Sequence, residues 1–119
     1  VVSVLPLTPE TTGIMNASFF GMLADGAFII NGGRGPQVDD EDLLAALDSG
    51  KLGGAALDVF AVEPLPQDNP FWTHPKVRVW PHVAAQTNAT SAAEQVAAAI
   101  TAMMDGSEPA NRVNWSRGY

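Results

Sequence analysis

The sequence has no cysteine, few cations and no long hydrophobic run. The absence of cysteine excludes disulfide bonds and thiolate metal sites, and the two histidines are too weak a signal to predict another metal site. Six Lys and Arg residues face 13 Asp and Glu residues, so no basic stripe for nucleic acid is present. No apolar run approaches the roughly 20 residues of a transmembrane helix. We therefore expect a cytoplasmic protein with neither nucleic acid nor a membrane as partner.

What the sequence does contain is a substantial apolar fraction. Hydrophobic residues make up 46% of the 119 positions, which is enough for the core of one domain. The first residues, 1–5, already form an apolar run that reads as a strand. Because natural chains rarely begin within a strand, we interpret the sequence as part of a longer protein.

Strand-like and helix-like segments alternate along the chain. Strands are predicted at 1–5, 27–31, 54–59 and 77–80. Three of these runs are apolar on both faces, which is typical of a parallel sheet covered on both sides. Helices are predicted over 16–23, from an N-cap at Asp39 to Gly50, and from a capping box at Ser91 and Glu94 to Asp105. The alternation predicts an α/β fold with a doubly wound parallel sheet, in which the loop 61–76 replaces one helix.

Polar side chains follow three of the predicted strands. Arg34 stands among glycines after the second strand, Asp58 and Glu63 come at and after the end of the third, and His82 follows the fourth. Ligands of open parallel sheets bind at the carboxyl ends of the strands, where these residues should meet. Separately, each has an ordinary structural explanation, such as a surface arginine or a loop cap. Together they predict an enzyme site for a small anionic substrate.

Several motifs in order resemble one enzyme family. They are Leu5-Pro-Leu-Thr-Pro-Glu-Thr11, Asn31-Gly-Gly-Arg-Gly35, Leu43-Leu-Ala-Ala-Leu47, Ala56-Leu-Asp-Val-Phe60, Glu63-Pro-Leu-Pro66 and Pro81-His82. In this order and spacing they resemble the D-isomer-specific 2-hydroxyacid dehydrogenases over essentially the whole chain. The segments 82–87 and 114–119 are most similar to the glyoxylate/hydroxypyruvate reductase A branch of that family.

The resemblance implies a role for each polar residue. Arg34 matches the substrate-binding arginine, Glu63 the catalytic glutamate, His82 the catalytic histidine, and Asp58 the acid that contacts the nicotinamide carboxamide. The positions that match the cofactor lining are Leu5, Pro6, Thr8, Gly32, Gly33, Arg34, Asp58, His82, Ala84 and Ala85. The implied cofactor is NADP or NAD, with NADPH favoured by the branch, and the implied assembly is a homodimer.

The implied reaction is the NAD(P)H-dependent reduction of a small 2-oxo acid to the D-2-hydroxy acid. Arginine holds a carboxylate through two parallel hydrogen bonds, which lysine cannot match. His82 as imidazolium would donate a proton to the reduced carbonyl oxygen, and Glu63 would stabilise the charged ring. Trp72 and Trp80 could shape the substrate pocket or simply pack.

The resemblance also predicts the domain organisation. Residues 1–119 should be the C-terminal portion of a three-layer αβα, Rossmann-like NAD(P)-binding domain, with 91–119 leading back toward a substrate domain. The family's glycine-rich fingerprint would lie upstream of Val1. A non-catalytic, nucleotide-sensing or corepressor-type protein of the same fold is the alternative, and the retained Arg34, Glu63 and His82 argue against it. A hydrolase is a third possibility, but no serine or cysteine is placed as nucleophile.

Overall fold

The computed structural model describes residues 1–116 as parts of two compact units, Val1–Ala84 and the residues from Ala85 onward. The first unit contains, in chain order, β1 (Val2–Ser3), α1 (Ala17–Met22), β2 (Ala27–Asn31), a 3-10 turn (Gly35–Gln37), α2 (Asp40–Asp48), β3 (Leu52–Leu57), a second 3-10 turn (Pro70–Trp72) and β4 (Val77–Val79). The second unit contains α3 (Ala89–Met104).

The four strands form one parallel sheet in the order β1-β2-β3-β4. Each strand therefore pairs with the next strand along the chain, and all four carboxyl ends lie at one edge. This arrangement confirms the predicted α/β class and the Rossmann-like parallel sheet.

The hydrophobic core lies on one face of this sheet. Ile29, Leu57 and Val77 from the strands are buried there together with Phe20 of α1 and Leu43 of α2. On the other face the side chains alternate out to solvent, and Val2, Phe28 and Ile30 are exposed, which leaves that face uncovered within Val1–Ala84. Right-handed crossovers that add strands in one direction place their helices on the same side. The apolar runs predicted that both faces of the sheet are covered. Within this unit only one face is covered.

Local capping explains where α1 and α2 begin. The Asn16 side chain accepts a hydrogen bond from the Phe19 N–H at 3.2 Å, and the Asp39 carboxylate accepts one from the Asp42 N–H at 3.0 Å. Both caps satisfy backbone donors that a first helical turn leaves free. Gly50, at φ +80°, ends the α2 region in the left-handed conformation that glycine adopts most easily. The predicted Asp39 cap and the Gly50 stop are confirmed.

Three of the four predicted strands have different bounds in the structure, and β4 ends at Val79 instead of position 80. β1 is limited to Val2–Ser3, and β3 runs over Leu52–Leu57 instead of 54–59. Glycine is normally unfavourable within a strand, and both Gly53 and Gly54 nevertheless belong to β3. A Cβ at Gly53 would lie 2.5 Å from the Gly26 carbonyl oxygen, and one at Gly54 would lie 2.7 Å from the Phe28 ring. Gly53 is therefore required by the approach of the Gly26 backbone, which directly precedes β2, whereas at Gly54 the nearest atoms belong to the exposed Phe28 ring.

The predicted start of the last helix was wrong. α3 begins at Ala89, and its N-cap is Asn88, whose side-chain oxygen accepts hydrogen bonds from the Thr90 and Ser91 N–H groups. Ser91 therefore lies inside the first turn, where a capping box cannot form.

The residues of α3 form a helix with an exposed apolar side. Val96, Ile100, Met103 and Met104 are all more than half exposed. Across the described part of the chain, no helix combines the length and the hydropathy that crossing a membrane requires. The predicted tail extends to Tyr119, and residues 117–119 lie outside the part that the structure describes.

Gly35 is expected to be the glycine least tolerant of substitution. A Cβ there would lie 1.8 Å from the Phe60 carbonyl carbon, so Gly35→Ala forces backbone to move. We expect a loss of at least about 1–3 kcal/mol in the free energy of unfolding, measured by urea denaturation. The matched control is Gly21→Ala in α1, where a Cβ meets nothing within 4 Å. Equal stability of the two variants would contradict this reading of the close approach.

Candidate active site

The carboxyl edge of the sheet carries the four predicted site residues. Arg34 lies three residues after β2, Asp58 directly follows β3, and His82 lies three residues after β4. Glu63 belongs to the loop that leaves the same edge after Asp58. Because the strands are parallel and adjacent, these residues share one end of Val1–Ala84, as expected from the chain order.

His82 and Glu63 form a hydrogen-bonded pair. His82 Nδ1 lies 2.8 Å from Glu63 Oε2, and the other carboxylate oxygen, Oε1, accepts a hydrogen bond from the Phe60 N–H at 2.9 Å. The carboxylate is thus held on both sides and orients the imidazole ring. Within the described residues, His82 Nε2 has no hydrogen-bonding partner, and the side chain is 47% exposed. The ring therefore presents one nitrogen to an external group.

Three neighbours change the pKa of Glu63. The hydrogen bond with His82 is the main reason that the pKa of Glu63 is lowered from its ordinary value of 4.5, and the Phe60 N–H lowers it further. Burial acts in the opposite direction, and the positive charges of His82 and Arg34 add smaller contributions to the lowering. Arg34 makes the smallest of these contributions, and among the described residues no ion pair joins its guanidinium to Glu63.

Asp58 holds the segment that carries His82. Its two carboxylate oxygens accept hydrogen bonds from the Val83 N–H at 2.9 Å and the Ala84 N–H at 2.8 Å. His82 itself has φ +56°, a left-handed conformation that costs a non-glycine residue on the order of 1–3 kcal/mol. The Asp58 contacts stabilise this turn, and they explain how a buried carboxylate at the end of an apolar strand is satisfied.

Two buried amides, Asn31 and Gln37, hold the backbone around Arg34, and sequence reasoning missed both. The Asn31 side chain accepts a hydrogen bond from the Gly33 N–H at 3.0 Å and donates one to the Arg34 carbonyl at 3.1 Å. The Gln37 oxygen accepts the Arg34 N–H at 3.2 Å. An amide at the end of an apolar strand, as Asn31 is, was the available signal, because a buried polar group needs partners.

Two cavities lie beside these residues. One, of about 420 Å³, is lined by Glu63 and His82 and by apolar side chains that include Trp72 and Trp80. The other, also of about 420 Å³, is lined by Asn31, Gly32, Asp58, Trp80 and Ala84 on the uncovered side of the sheet. Trp80 therefore borders both cavities, and the imidazole and the Asp58 carboxylate each face a space of ligand size.

The residues predicted to line a cofactor are only partly brought together. Gly32, Asp58 and Ala84 share the second cavity. The carbonyls of Leu5 and Pro6 accept hydrogen bonds from the Gln37 amide at 2.9 and 3.0 Å, beside Gly33. Thr8 is buried, and its hydroxyl is engaged with Thr11 within the turn. Ala85 is the first residue of the second unit. Among the described residues, no group of three His, Asp or Glu side chains could hold a metal ion.

Comparison with known proteins identifies the class of this domain. The family described as D-isomer specific 2-hydroxyacid dehydrogenase, NAD binding domain, matches residues 1–84. The chain therefore belongs to the D-isomer-specific 2-hydroxyacid dehydrogenase family. The matched span coincides with the unit that contains the sheet and the four site residues.

The most similar relatives include glyoxylate/hydroxypyruvate reductases. The chain is 49% identical over its full length to glyoxylate/hydroxypyruvate reductase A of Serratia proteamaculans, and it spans 38% of that protein. A dehydrogenase of the same family from Xanthobacter autotrophicus, solved with NADPH and MES, is 47% identical with a TM-score of 0.95 over 100% of this chain and 49% of its own. An NADPH-dependent glyoxylate/hydroxypyruvate reductase from Sinorhizobium meliloti, solved with NADP and sulfate, is 43% identical with a TM-score of 0.92 over 99% of this chain and 39% of its own.

Removing the imidazole should change the titration of Glu63. Asparagine tolerates the left-handed conformation, so His82→Asn preserves the turn. The pKa of Glu63 should rise toward 4.5 and stay below it, because the Phe60 N–H bond remains. Carboxyl-carbon NMR titration measures this shift.

Asp25 supplies the internal control for this titration. Its pKa is lowered by Lys51, so it should not change in His82→Asn. Because the folded-state pKa of Glu63 is depressed, Glu63 contributes stability above its unfolded value and loses that contribution as the pH falls through the folded value. The variant should therefore lose less stability in acid than the wild type. A Glu63 pKa that is the same in both proteins would refute the pairing.

Proposed function

We propose that this chain is the C-terminal part of the cofactor domain of an NAD(P)H-dependent reductase that converts a small 2-oxo acid, such as glyoxylate or hydroxypyruvate, to the D-2-hydroxy acid. The observation that carries the proposal is the 2.8 Å contact between His82 Nδ1 and Glu63 Oε2, within reach of the Arg34 charge. A proton donor beside an anion-binding group is what the reduction of a 2-oxo acid needs. The names of the relatives support this reaction class.

The second cavity fits a nicotinamide ring. It lies at the carboxyl ends of parallel strands, where Rossmann-like sheets bind their ligands. A Cβ at Gly32 would have Ala84 as its nearest neighbour at 3.8 Å, so the backbone is open to a close approach there. Each Asp58 oxygen accepts one backbone N–H and retains a lone pair that can accept a carboxamide N–H.

Several residues would hold the cofactor in this proposal. Gly32, Asp58 and Ala84 would contact the nicotinamide, and Gly33, Leu5 and Pro6 would line its approach. The bound cofactor supplies the hydride, and the protein supplies orientation and field. We favour NADPH, because both of the solved structures compared above contain NADPH or NADP.

Arg34 would bind the carboxylate of the 2-oxo acid. Its side chain is exposed, and Nη1 donates to the Gly33 carbonyl at 2.7 Å, which leaves the other guanidinium N–H groups for an anion. Two parallel charge-assisted hydrogen bonds from arginine fix both the position and the plane of a carboxylate. The ketone next to that carboxylate is thereby oriented relative to His82.

His82 would transfer the proton. In the reductive direction, the Nε2–H of the imidazolium donates to the carbonyl oxygen as negative charge develops there, and in the oxidative direction the neutral ring accepts the proton back. Glu63, kept ionised by its lowered pKa, stabilises the imidazolium through Nδ1 and leaves Nε2 to face the substrate. In this proposal His82 is the proton donor, and Glu63 is the anion that stabilises its positive charge.

The chain spans only about 38% of the length of the curated relatives that it matches. We therefore propose that the working enzyme contains a substrate-binding domain and the glycine-rich part of the cofactor domain in addition to these residues. We also propose a cytoplasmic homodimer, as the family resemblance implies. The uncovered sheet face and the exposed side of α3 leave apolar surface available for those further contacts.

Replacing His82 should reduce turnover strongly and should change cofactor binding little. In the complete enzyme, His82→Asn should lower kcat by about 10²–10⁴-fold, because the proton donor is lost while the turn is preserved. Absorbance of NADPH with glyoxylate or hydroxypyruvate measures turnover, and quenching of protein fluorescence measures NADPH binding.

The matched control is His74→Asn. His74 contacts Asp48 near the end of α2, and no hydrogen bond among residues 1–116 joins it to the proposed site residues, so turnover should be close to normal. Near-normal turnover in His82→Asn would refute the catalytic assignment. Cofactor binding without turnover of any 2-oxo acid by the wild-type enzyme would instead favour a nucleotide-sensing protein.

The 119-residue chain by itself should have little or no reductase activity and should bind the cofactor weakly. It carries one wall of the proposed site, and an enzyme needs the remaining walls to exclude water and to position the substrate. The same absorbance and fluorescence assays on the isolated chain test this expectation. Clear turnover of glyoxylate by the isolated chain would overturn it.

A further inference from the structure

Gln37 is completely buried, and its side-chain amide uses all of its hydrogen-bonding capacity within the protein. Its amide nitrogen donates to the carbonyls of Leu5 at 2.9 Å and Pro6 at 3.0 Å. Its oxygen accepts from the Ser3 hydroxyl and from the Arg34 N–H, both at 3.2 Å. A primary amide has two donors and two acceptor sites, so this side chain is fully satisfied. It connects two segments that are distant in sequence, 3–6 and 34–37.

The Arg34 backbone is held from both sides. Its N–H donates to Gln37, and its carbonyl accepts from the Asn31 side chain at 3.1 Å and from the Gln37 N–H at 3.2 Å. The Arg34 side chain, by contrast, is exposed and has only the Gly33 carbonyl as a partner within the described residues. The direction in which the guanidinium leaves the surface is therefore set mainly by its backbone.

We propose that Gln37 is a positioning residue for Arg34. It holds the Arg34 backbone and ties it to the Leu5–Pro6 turn, so that the guanidinium is oriented for a carboxylate before the substrate arrives. This inference rests on the proposed function, because it assigns Gln37 a role through the arginine that binds the 2-oxo acid. Preorganisation of this kind reduces the entropy lost on binding and improves alignment for reaction.

Gly33 makes room for this arrangement. A Cβ at Gly33 would lie 2.6 Å from Gln37 Oε1 and 2.9 Å from the Leu5 carbonyl oxygen. Either approach is shorter than real Cβ contacts allow, so the buried amide in this place requires a glycine at position 33. Because Gly33 has no side chain, the Gln37 amide can pass it and reach the Leu5–Pro6 turn.

The test is a double-mutant cycle in the complete enzyme. Gln37→Met keeps the length of the side chain and removes every hydrogen bond that the side chain makes, while the backbone bond from the Gln37 N–H to the Arg34 carbonyl remains. We expect kcat/KM for glyoxylate to fall by about 10- to 100-fold. In an Arg34→Ala background the same substitution should cost less than about threefold, because its effect acts through Arg34. Additive losses in the two backgrounds would show a merely structural role and overturn the proposal.

Ser3→Ala is the matched control. It removes the other donor to the Gln37 oxygen without touching Arg34, and it should change kcat/KM by less than about threefold. A loss as large as that of Gln37→Met would overturn the proposal. If Arg34→Ala leaves the KM for glyoxylate unchanged, the proposed role of Arg34 fails. If that KM rises and the Gln37 effect persists undiminished, only the inference about Gln37 fails.

A measurement on the wild-type enzyme avoids dependence on how the variants fold. Oxalate, a dicarboxylate that resembles a 2-oxo acid, is added to the NADP-bound enzyme, and hydrogen exchange of the Gln37 side-chain amide is followed by NMR. We expect at least about twofold slower exchange, because a bound carboxylate stabilises the orientation that Gln37 holds. Exchange that oxalate does not slow would contradict the link between Gln37 and Arg34.

Discussion

The site depends first on the buried carboxylate of Asp58. By accepting the Val83 and Ala84 N–H groups, Asp58 joins the end of β3 to the segment that follows β4. That segment needs support because His82 adopts a left-handed backbone conformation. A carboxylate that is unpaired in such a place would be costly, and two backbone donors make it favourable. The position of the imidazole, and hence its contact with Glu63, follows from this connection.

A close approach of two loops brings the positive and negative groups together. Gly35 lies against the Phe60 backbone with no room for a Cβ, and Phe60 in turn donates its N–H to Glu63. Arg34 is adjacent to Gly35 in the chain, so the guanidinium is carried toward the Glu63 carboxylate, and its charge contributes to the lowered pKa of Glu63. Packing between backbones, rather than a direct ion pair, therefore brings Arg34 near the His82–Glu63 pair.

The division of the site into two cavities agrees with a two-ligand reaction. The imidazole borders one space and the Asp58 carboxylate borders the other, with Trp80 between them. In the proposed enzyme, the substrate would approach from the first and the nicotinamide from the second. In that proposal, further polypeptide of the working enzyme would complete the walls beside the uncovered sheet face.

Local capping made the Asp39 cap and the Gly50 stop predictable from the sequence. Parallel topology made two further features predictable: the order of strands and helices, and the meeting of four polar residues, Arg34, Asp58, Glu63 and His82, at one edge of the sheet. The start of α3 at Ala89 and the extent of β3 were not predictable, since competing caps and close strand contacts decide such limits. The roles of Asn31 and Gln37 depend on partners far away in sequence, such as Leu5 and Ser3. The sequence by itself determined which chemical groups reach the site. The tertiary structure decided how they are held, because only folding brings buried amides and distant carbonyls within hydrogen-bonding distance.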